Sequence, residues 1–160
     1  NDVVVFIVKE QGTIKYYLAF TSNPEGALKN GIPGEAIIGE LDSSLSVTPE
    51  TFCRNSIFKD VLHQVIAEII PDLPDAQEEA RRQHEGSLFV IDARVADPQG
   101  AVAPEDILGG FRVENGLIVK GSYQMNDNHI FLTDKGLFRL QPAIHDALLR
   151  RLESYPTRSV

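Results

Sequence analysis

The sequence has little cysteine: Cys53 is the only one in 160 residues. An intrachain disulfide is therefore excluded, and chains without disulfides are typical of the reducing cytoplasm. Cys53 also has no neighbouring cysteine or histidine in the sequence, so it indicates neither an activated thiol nor a zinc site. We therefore expect a cytoplasmic protein that folds without a disulfide or a metal ion.

Long apolar segments are also missing from the sequence. No run of apolar residues reaches the ~20 that are needed to cross a bilayer, and the N-terminus carries no basic-then-apolar leader. The sequence therefore predicts neither insertion into a membrane nor a targeting segment.

Positive charge is scarce, because 15 Lys and Arg residues stand against 23 Asp and Glu residues, a formal net charge of −8. Affinity for nucleic acid depends on cations that displace the counterions of the phosphate backbone, so this balance argues against a nucleic-acid partner. The whole excess lies in residues 1–100, which hold 16 acidic and 8 basic residues. An acidic surface of this kind serves solubility or docks a basic protein partner, and the sequence leaves both interpretations open.

Motifs that hold cofactors or metals are not recognisable. The glycine clusters at residues 31–34 and 109–110 do not match the patterns of phosphate-binding loops. The histidines are scattered along the chain, at His63, His84, His129 and His145. None of them lies at the local spacing of a zinc site from another histidine, a cysteine or a carboxylate. We expect neither a cofactor nor a metal.

The composition is that of an ordinary globular protein, with 42% hydrophobic and 24% charged residues. A protein of this length can bury roughly 68–70% of the surface that it exposes when unfolded, so it needs no disulfide or metal to fold. The sequence shows no recognisable internal repeat, low-complexity tract or linker. We therefore predict a single domain over residues 1–160.

Alternating and β-branched residues predict several antiparallel strands. Residues 3–8 and 14–20 form a hairpin pattern, and residues 111–120 form another around Asn115-Gly116, a pair suited to a two-residue turn. We predict a further hairpin that joins residues 123–125 to residues 130–132, and a turn at residues 97–100. The segment 21–34 is rich in glycine, proline and asparagine and is predicted to be a loop.

Helical periodicity is clearest over residues 56–70, where apolar residues recur every three or four positions and Pro71 ends the pattern. His63 falls on the polar side of this helix, where we expect it to be solvated or bonded within the helix. A polar helix over residues 75–85 and a C-terminal helix over residues 142–155 complete the pattern. The sequence thus predicts an α+β fold: a mainly antiparallel sheet of about six to eight short strands, an N-terminal hairpin plus a C-terminal meander, packed by a long central helix and a C-terminal helix.

Asp92 and Arg94 form the most interesting polar group, because they follow the apolar run of residues 87–91, which predicts a buried central strand. Polar groups at a strand end converge where loops form a pocket, although a structural ion pair accounts for them equally well. We add His129 as a candidate acid or base and Tyr123 as a candidate ligand-binding residue, both from the predicted meander.

Three functions remain open on this sequence. The missing catalytic spacings favour a non-catalytic interaction or regulatory domain that binds a protein partner or associates with itself as a homodimer. The alternative is a small enzyme, such as a hydrolase, that uses Asp92, Arg94 and His129. It requires these side chains within hydrogen-bonding reach of one another. Binding of a small ligand without turnover is the third, and it requires a largely apolar pocket.

Overall fold

A computed structural model of the protein describes residues 2–42, 46–96 and 100–157. Contacts between Cα atoms group the residues into two compact units: residues 1–62, 132–134 and 146–160 form the first, and residues 63–131 and 135–145 form the second. The organisation of residues 1–160 as one domain stays a prediction from the length of the sequence. The turn predicted at residues 97–100 falls largely on residues outside the described ranges.

The N-terminal part of the first unit contains the strands β1 (Val3–Glu10), β2 (Thr13–Phe20), β3 (Ile37–Leu41) and β4 (Phe52–Arg54). They form one antiparallel sheet in the order β1-β2-β3-β4. Gln11 and Gly12 have positive φ angles of 49° and 80°, as a two-residue turn between twisted strands requires. The predicted N-terminal hairpin is confirmed.

A short helix, α1 (Pro24–Asn30), lies in the segment that was predicted to be a loop. The side-chain oxygen of Asn23 accepts a hydrogen bond from the N–H of Gly26 at 3.0 Å, and Pro24 occupies the first helical position. Both features stabilise a helix N-terminus. The loop prediction is therefore wrong over these residues, because capping decided the local structure where composition suggested a loop.

Three longer helices follow: α2 (Ser56–Ile69), α3 (Pro74–Gln83) and α4 (Pro142–Glu153). Each matches a helix that the sequence predicts: α2 and α4 carry an apolar stripe, and α3 was expected as a polar surface helix. The apolar stripe of α2 is largely buried, with Phe58, Leu62 and Ile66 fully so. Ile57, in the first turn, is 55% exposed and does not belong to the core.

The second unit contains β5 (Gly86–Ile91), β6 (Ile107–Glu114), β7 (Leu117–Ile118) and β8 (Gln124–Met125). In their antiparallel sheet, β6 pairs with β5 on one side and with β7 and β8 on the other. Asn115 and Gly116 have φ angles of 52° and 74°, which confirms the predicted hairpin turn. Two short strands, β9 (Leu132–Thr133) and β10 (Gly136–Leu137), come later in the sequence. The α+β class with antiparallel sheets is confirmed.

The partner of β8 was predicted wrongly. β8 pairs with Gly109 and Gly110 of β6 and not with residues 130–132. The side chain of Asn126, directly after β8, donates to the C=O groups of Pro104 and Ile107 at 2.7 and 2.9 Å. These bonds hold the end of β8 beside the start of β6, and a pattern of alternating residues does not reveal such an anchor.

The position of β5 in its sheet was also predicted wrongly. β5 is an edge strand and not a central one, since β6 is its only neighbour among the described strands. Leu88 and Val90 are buried, but Phe89 between them is 58% exposed. An apolar run is therefore compatible with an edge strand when one of its faces remains open.

The two units share a supersecondary motif that the sequence patterns do not predict. A strand, a 3-10 turn, a second strand and a third strand occur in both. In the first unit these are β2, residues 34–36, β3 and β4, and in the second they are β5, residues 104–106, β6 and β8. A β-bulge lies at the same place in each, where Ile38 and Leu108 are the extra residues between regular pairs. Both are buried, at 0% and 1% exposure.

An asparagine closes this motif in the same way in both units. The side-chain amide of Asn55 donates to the C=O of Ile37 at 2.8 Å, and that of Asn126 donates to Ile107 at 2.9 Å. Each also donates to the first residue of the 3-10 turn, at 3.2 and 2.7 Å respectively. The backbone N–H groups of both asparagines bond to the bulge residue as well, at 2.9 and 3.0 Å. The two halves therefore repeat a specific hydrogen-bonding pattern and not only an order of elements.

A glycine occupies the same position of the motif in each unit. A Cβ atom at Gly39 would lie 2.5 Å from the ring of Phe52, and one at Gly109 would lie 2.6 Å from the ring of Tyr123. Residues 34–39 and 104–109 share a Glu, an Ile and this Gly at matching positions. These three residues and the matched asparagines, Asn55 and Asn126, are the trace of the repeat in the sequence.

Candidate functional site

A buried network of charged side chains lies in the second unit, at the end of β5. Asp92 follows this strand directly and has no exposed surface. Its Oδ2 atom lies 2.9 Å from Nε2 of His129 and 3.4 Å from Nε of Arg94. Its Oδ1 atom accepts hydrogen bonds from the backbone N–H groups of Arg94 and Arg139, at 3.0 and 2.9 Å. Both oxygens of the carboxylate are therefore engaged.

Arg94 uses its whole guanidinium group in this network. Its Nε atom donates to Oδ1 of Asp106 at 3.0 Å. Its two terminal nitrogens donate to four backbone carbonyl oxygens at 2.7–3.1 Å, those of Glu105, Ile130, Phe131 and Gly136. A guanidinium has five N–H donors, so all of them are used. The side chain of Arg94 is only 3% exposed. It links the turn before β6, through Glu105 and Asp106, to the backbone of residues 130–136.

Asp106 is the second carboxylate of the network. Burial alone would raise the pKa of Asp106, but hydrogen bonds from Lys135 and Arg94 outweigh that effect and hold the pKa below its ordinary value of 3.8. The same contact with Asp106 raises the pKa of the Lys135 ammonium group. Asp106 is therefore held as a carboxylate at neutral pH.

Acid is expected to remove the stabilisation that Asp106 provides. A carboxyl group whose pKa is lowered by folding stabilises the protein above its unfolded-state pKa, and that contribution is lost as the pH falls through the folded-state pKa. Asp106→Asn should therefore reduce the free energy of unfolding at pH 7, and its difference from the wild type should shrink below about pH 4. Urea unfolding curves at a series of pH values measure this difference. Asp72→Asn is the control, because the side chain of Asp72 is 72% exposed and its replacement should change the free energy of unfolding little at pH 7.

The structure brings three of the four sequence-predicted site residues together: Asp92, Arg94 and His129 form one network. The hydrogen-bonding reach that the enzyme alternative requires is present. However, His129 is only 4% exposed, and the donors of Arg94 are all used within the protein. A general base must reach a substrate, so burial favours a structural role for the network. Sequence reasoning missed Asp106 and Lys135, for which no local pattern gives a signal.

Tyr123, the fourth predicted site residue, is not part of this network. Its hydroxyl lies 2.7 Å from Nδ1 of His63, and its ring stacks on the ring of that histidine with centroids 5.9 Å apart. Burial raises the pKa of the Tyr123 phenol far above its usual range. His63 was expected to be solvated or bonded within its own helix. The solvated alternative is wrong, because His63 is 8% exposed and its Nδ1 atom meets a residue 60 positions away.

Three clefts border the two sheets, and the charged network lines none of these three. One, of about 520 Å³, is lined by Tyr17, Ile37 and Asn55 of the first unit. A second, of about 450 Å³, is lined by the matching residues of the second unit, Phe89, Ile107 and Asn126. The motif therefore presents a similar concave surface in both units.

The third cleft, of about 660 Å³, lies between the outer side of β5 and the start of α3. Phe89 lines this cleft as well as the second one. It is thus the one large exposed aromatic side chain that borders two concave surfaces of the second unit, among the residues that the structure describes.

The described part of the protein holds neither a group of metal-ligating side chains nor a membrane-spanning helix. Within residues 2–42, 46–96 and 100–157, no three His, Cys, Asp or Glu side chains are placed to hold a metal ion together. No helix in those ranges has the length and apolarity of a membrane span. The sequence matches no protein-family model, and the protein is similar to no curated protein and no solved structure.

Proposed function

We propose that this protein is a non-catalytic interaction domain that binds a protein partner through the surface around Phe89. The observation that carries the proposal is the 58% exposure of this aromatic side chain between two clefts of the second unit. Large aromatic side chains that become buried on binding contribute much of the energy of protein interfaces. A residue of this kind on an open surface is therefore a candidate anchor for a partner.

The state of the ionisable groups supports the same proposal. The candidate acid and base groups, Asp92 and His129, are buried and bonded within the protein. Neither of these two side chains lines any of the three clefts, so neither is placed to act on a substrate bound there. Phe89, in contrast, is available to a partner without any rearrangement of the sheet.

The proposal predicts that Phe89→Ser weakens binding of a protein partner at least about 10-fold, as expected for an interface anchor. Partners are found by comparing the proteins retained by the wild type and by Phe89→Ser, and binding is then measured with the purified partner by titration calorimetry. Leu117→Ser is the matched control, since Leu117 is also exposed, at 68%, in the same unit. A purified partner that binds the wild type and Phe89→Ser equally well would contradict the proposal.

Self-association is tested separately, by native mass spectrometry at several protein concentrations. A homodimer that dissociates on dilution and is lost in Phe89→Ser would make a second copy the partner. A bound small molecule would instead favour the ligand-binding alternative, for which the cleft volumes of about 450–660 Å³ are suitable. The expectation of a cytoplasmic protein, drawn from its single cysteine, stays a prediction.

The enzyme alternative has one favourable observation, the contact between His129 and Asp92 at 2.9 Å. It predicts turnover of a substrate in a panel of esters, phosphoesters and glycosides. Turnover should be lost in His129→Gln, provided that circular dichroism shows this variant to be folded. Activity that survives in His129→Gln would remove the alternative.

A further inference from the structure

The outer side of β5 presents backbone groups to open space. Successive residues of a strand direct their N–H and C=O groups to opposite sides. The N–H of Asp92 donates to the C=O of Asp106, directly before β6. The N–H of Ala93 donates to the C=O of Arg139 on the other side, and both bonds measure 2.8 Å. The residues of β5 that are in step with Ala93 therefore direct their backbone groups away from β6.

These residues are Ser87, Phe89 and Ile91. The C=O of Ser87 accepts a hydrogen bond from the side chain of Gln83 at 2.7 Å, so this end of the edge is occupied by the protein itself. The N–H and C=O groups of Phe89 and Ile91 have no hydrogen-bond partner on the outer side among the described residues. Unpaired backbone groups on an edge strand are a template for another strand.

The first unit shows what occupies the matching edge. In the shared motif, Phe89 corresponds to Tyr17 and Ile91 corresponds to Ala19. Tyr17 and Ala19 pair with β3 in the same register in which Phe89 and Ile91 pair with β6. Tyr17 and Ala19 are covered by β1, which pairs with β2 in antiparallel orientation. The same position beside β5 holds no strand among the described residues.

One backbone hydrogen bond of the first unit has a counterpart at the edge of β5. Thr21, next after β2, donates its N–H to the C=O of Asp2 at 2.8 Å, and Ala93 donates in the same way to Arg139 at 2.8 Å. Arg139 therefore takes the place of the residue before β1. The backbone then enters α4 at Pro142, so no strand continues along β5.

The third cleft lies where the continuation would run. It is lined by the residues of β5, by the start of α4 and by the first turns of α3, with a volume of about 660 Å³. Its charged lining residues are Asp75 and Glu79, both acidic. Glu79 is bonded to Arg82, whereas Asp75 is exposed at the rim.

We infer that β5 binds a short extended segment of a partner protein as an added antiparallel strand, with a lysine or arginine of that segment beside Asp75. The N–H and C=O groups of Phe89 and Ile91 would form four backbone hydrogen bonds with this segment. We expect about four to five residues of the segment to lie along β5, with the usual strand rise of ~3.3 Å per residue. Apolar side chains of the segment enter the cleft between β5 and α3. This inference rests on the proposed function as an interaction domain and specifies how the partner is bound.

The first test uses the free protein and needs no ligand. Amide hydrogen exchange is measured by NMR for the matched pairs Tyr17 and Phe89, and Ala19 and Ile91. The amides of Tyr17 and Ala19 are bonded to β1 and should exchange at least about 100-fold more slowly than those of Phe89 and Ile91. Equal protection of the two pairs would show that the edge of β5 is already covered, which would overturn the inference.

The second test uses peptides selected from a random heptapeptide phage library on the immobilised protein. The tightest peptide is synthesised with single N-methyl groups at each position in turn. Binding to an edge strand predicts that N-methylation at every second position weakens binding at least about 10-fold, while the intervening positions tolerate it. In the complex, the amides of Phe89 and Ile91 should become protected from exchange, with those of Tyr17 and Ala19 unchanged. Asp75→Asn should weaken the binding of peptides that contain lysine or arginine.

The remaining outcomes separate the inference from the function on which it rests. Peptides that bind without this alternation, or without protection of Phe89 and Ile91, would overturn the added strand and leave the interaction domain in place. Protection of the two amides that grows with protein concentration alone would mean pairing of β5 with a second copy, which also overturns the inference. If the library yields no binding peptide, the inference is contradicted. In that case, a protein partner that binds the wild type but not Phe89→Ser would still support the proposed function.

Discussion

Replacing Arg94 with methionine is expected to lower the free energy of unfolding by about 3–5 kcal/mol, the usual effect of removing one partner from a buried ion pair. The side chain is 3% exposed and lies within hydrogen-bonding distance of Asp106 and of four backbone carbonyl oxygens. Methionine fills similar space but donates no hydrogen bond. The carboxylates of Asp92 and Asp106 would then share their buried site with less compensating charge.

Urea unfolding followed by far-UV circular dichroism measures this change. Arg112→Met is the matched control, because Arg112 is 62% exposed and its Nε atom pairs with Oε1 of Glu114 at 3.2 Å. An exposed pair of this kind contributes about 0–1 kcal/mol. Arg94→Lys retains the charge but not the planar fork of donors, so it should remain clearly less stable than the wild type. Equal stability of Arg94→Met and Arg112→Met would contradict a structural role for the network.

Alanine at either matched glycine, Gly39 or Gly109, is expected to destabilise the protein by about 1–3 kcal/mol, the usual cost of overpacking a closely packed site. At Gly39 a Cβ atom would lie 2.5 Å from the ring of Phe52, and at Gly109 it would lie 2.7 Å from the C=O of Gln124. A backbone oxygen in a paired strand cannot move away without loss of the pairing. The two substitutions should have effects of similar size, since the motif places both residues in the same surroundings.

Thermal and urea unfolding of Gly39→Ala, Gly109→Ala and Gly34→Ala test this expectation. Gly34 is the control, because a Cβ atom there has no atom within 4 Å and its φ angle is not positive. Alanine at such a position is neutral or stabilises by up to about 1 kcal/mol through the unfolded state. A stable Gly109→Ala beside a destabilised Gly39→Ala would show that the two units do not share the same close packing.

Most secondary structure could be predicted because it depends on residues close together in the sequence. The turn at Asn115-Gly116 needs two residues that tolerate positive φ, and the sequence places them between two β-branched segments. The helix at residues 56–70 follows from the spacing of its apolar residues. The helix α1 was missed although its signals were present, because Asn23 and Pro24 were interpreted as loop residues and not as a cap.

The candidate site was predictable only in part. Asp92 and Arg94 were recognisable because they end an apolar strand, and His129 was chosen for its chemistry alone. That His129 meets Asp92 depends on a contact across 37 positions of the sequence. That both are buried, and that Asp106 completes the network, depends on the same long-range packing. Tyr123 has a different partner, His63, for the same reason.

The sequence by itself determined the local elements, the acidic charge and the α+β class, because these follow from composition and from spacings of two to four residues. Only the tertiary structure decided that β8 pairs with β6, that β5 is an edge strand and that two units repeat one motif. These features rest on hydrogen bonds between distant residues, such as those of Asn55 with Ile37 and Asn126 with Ile107, across 18 and 19 positions. The open edge of β5 belongs to the same group, since an unpaired backbone group is defined by what lies beside it in space.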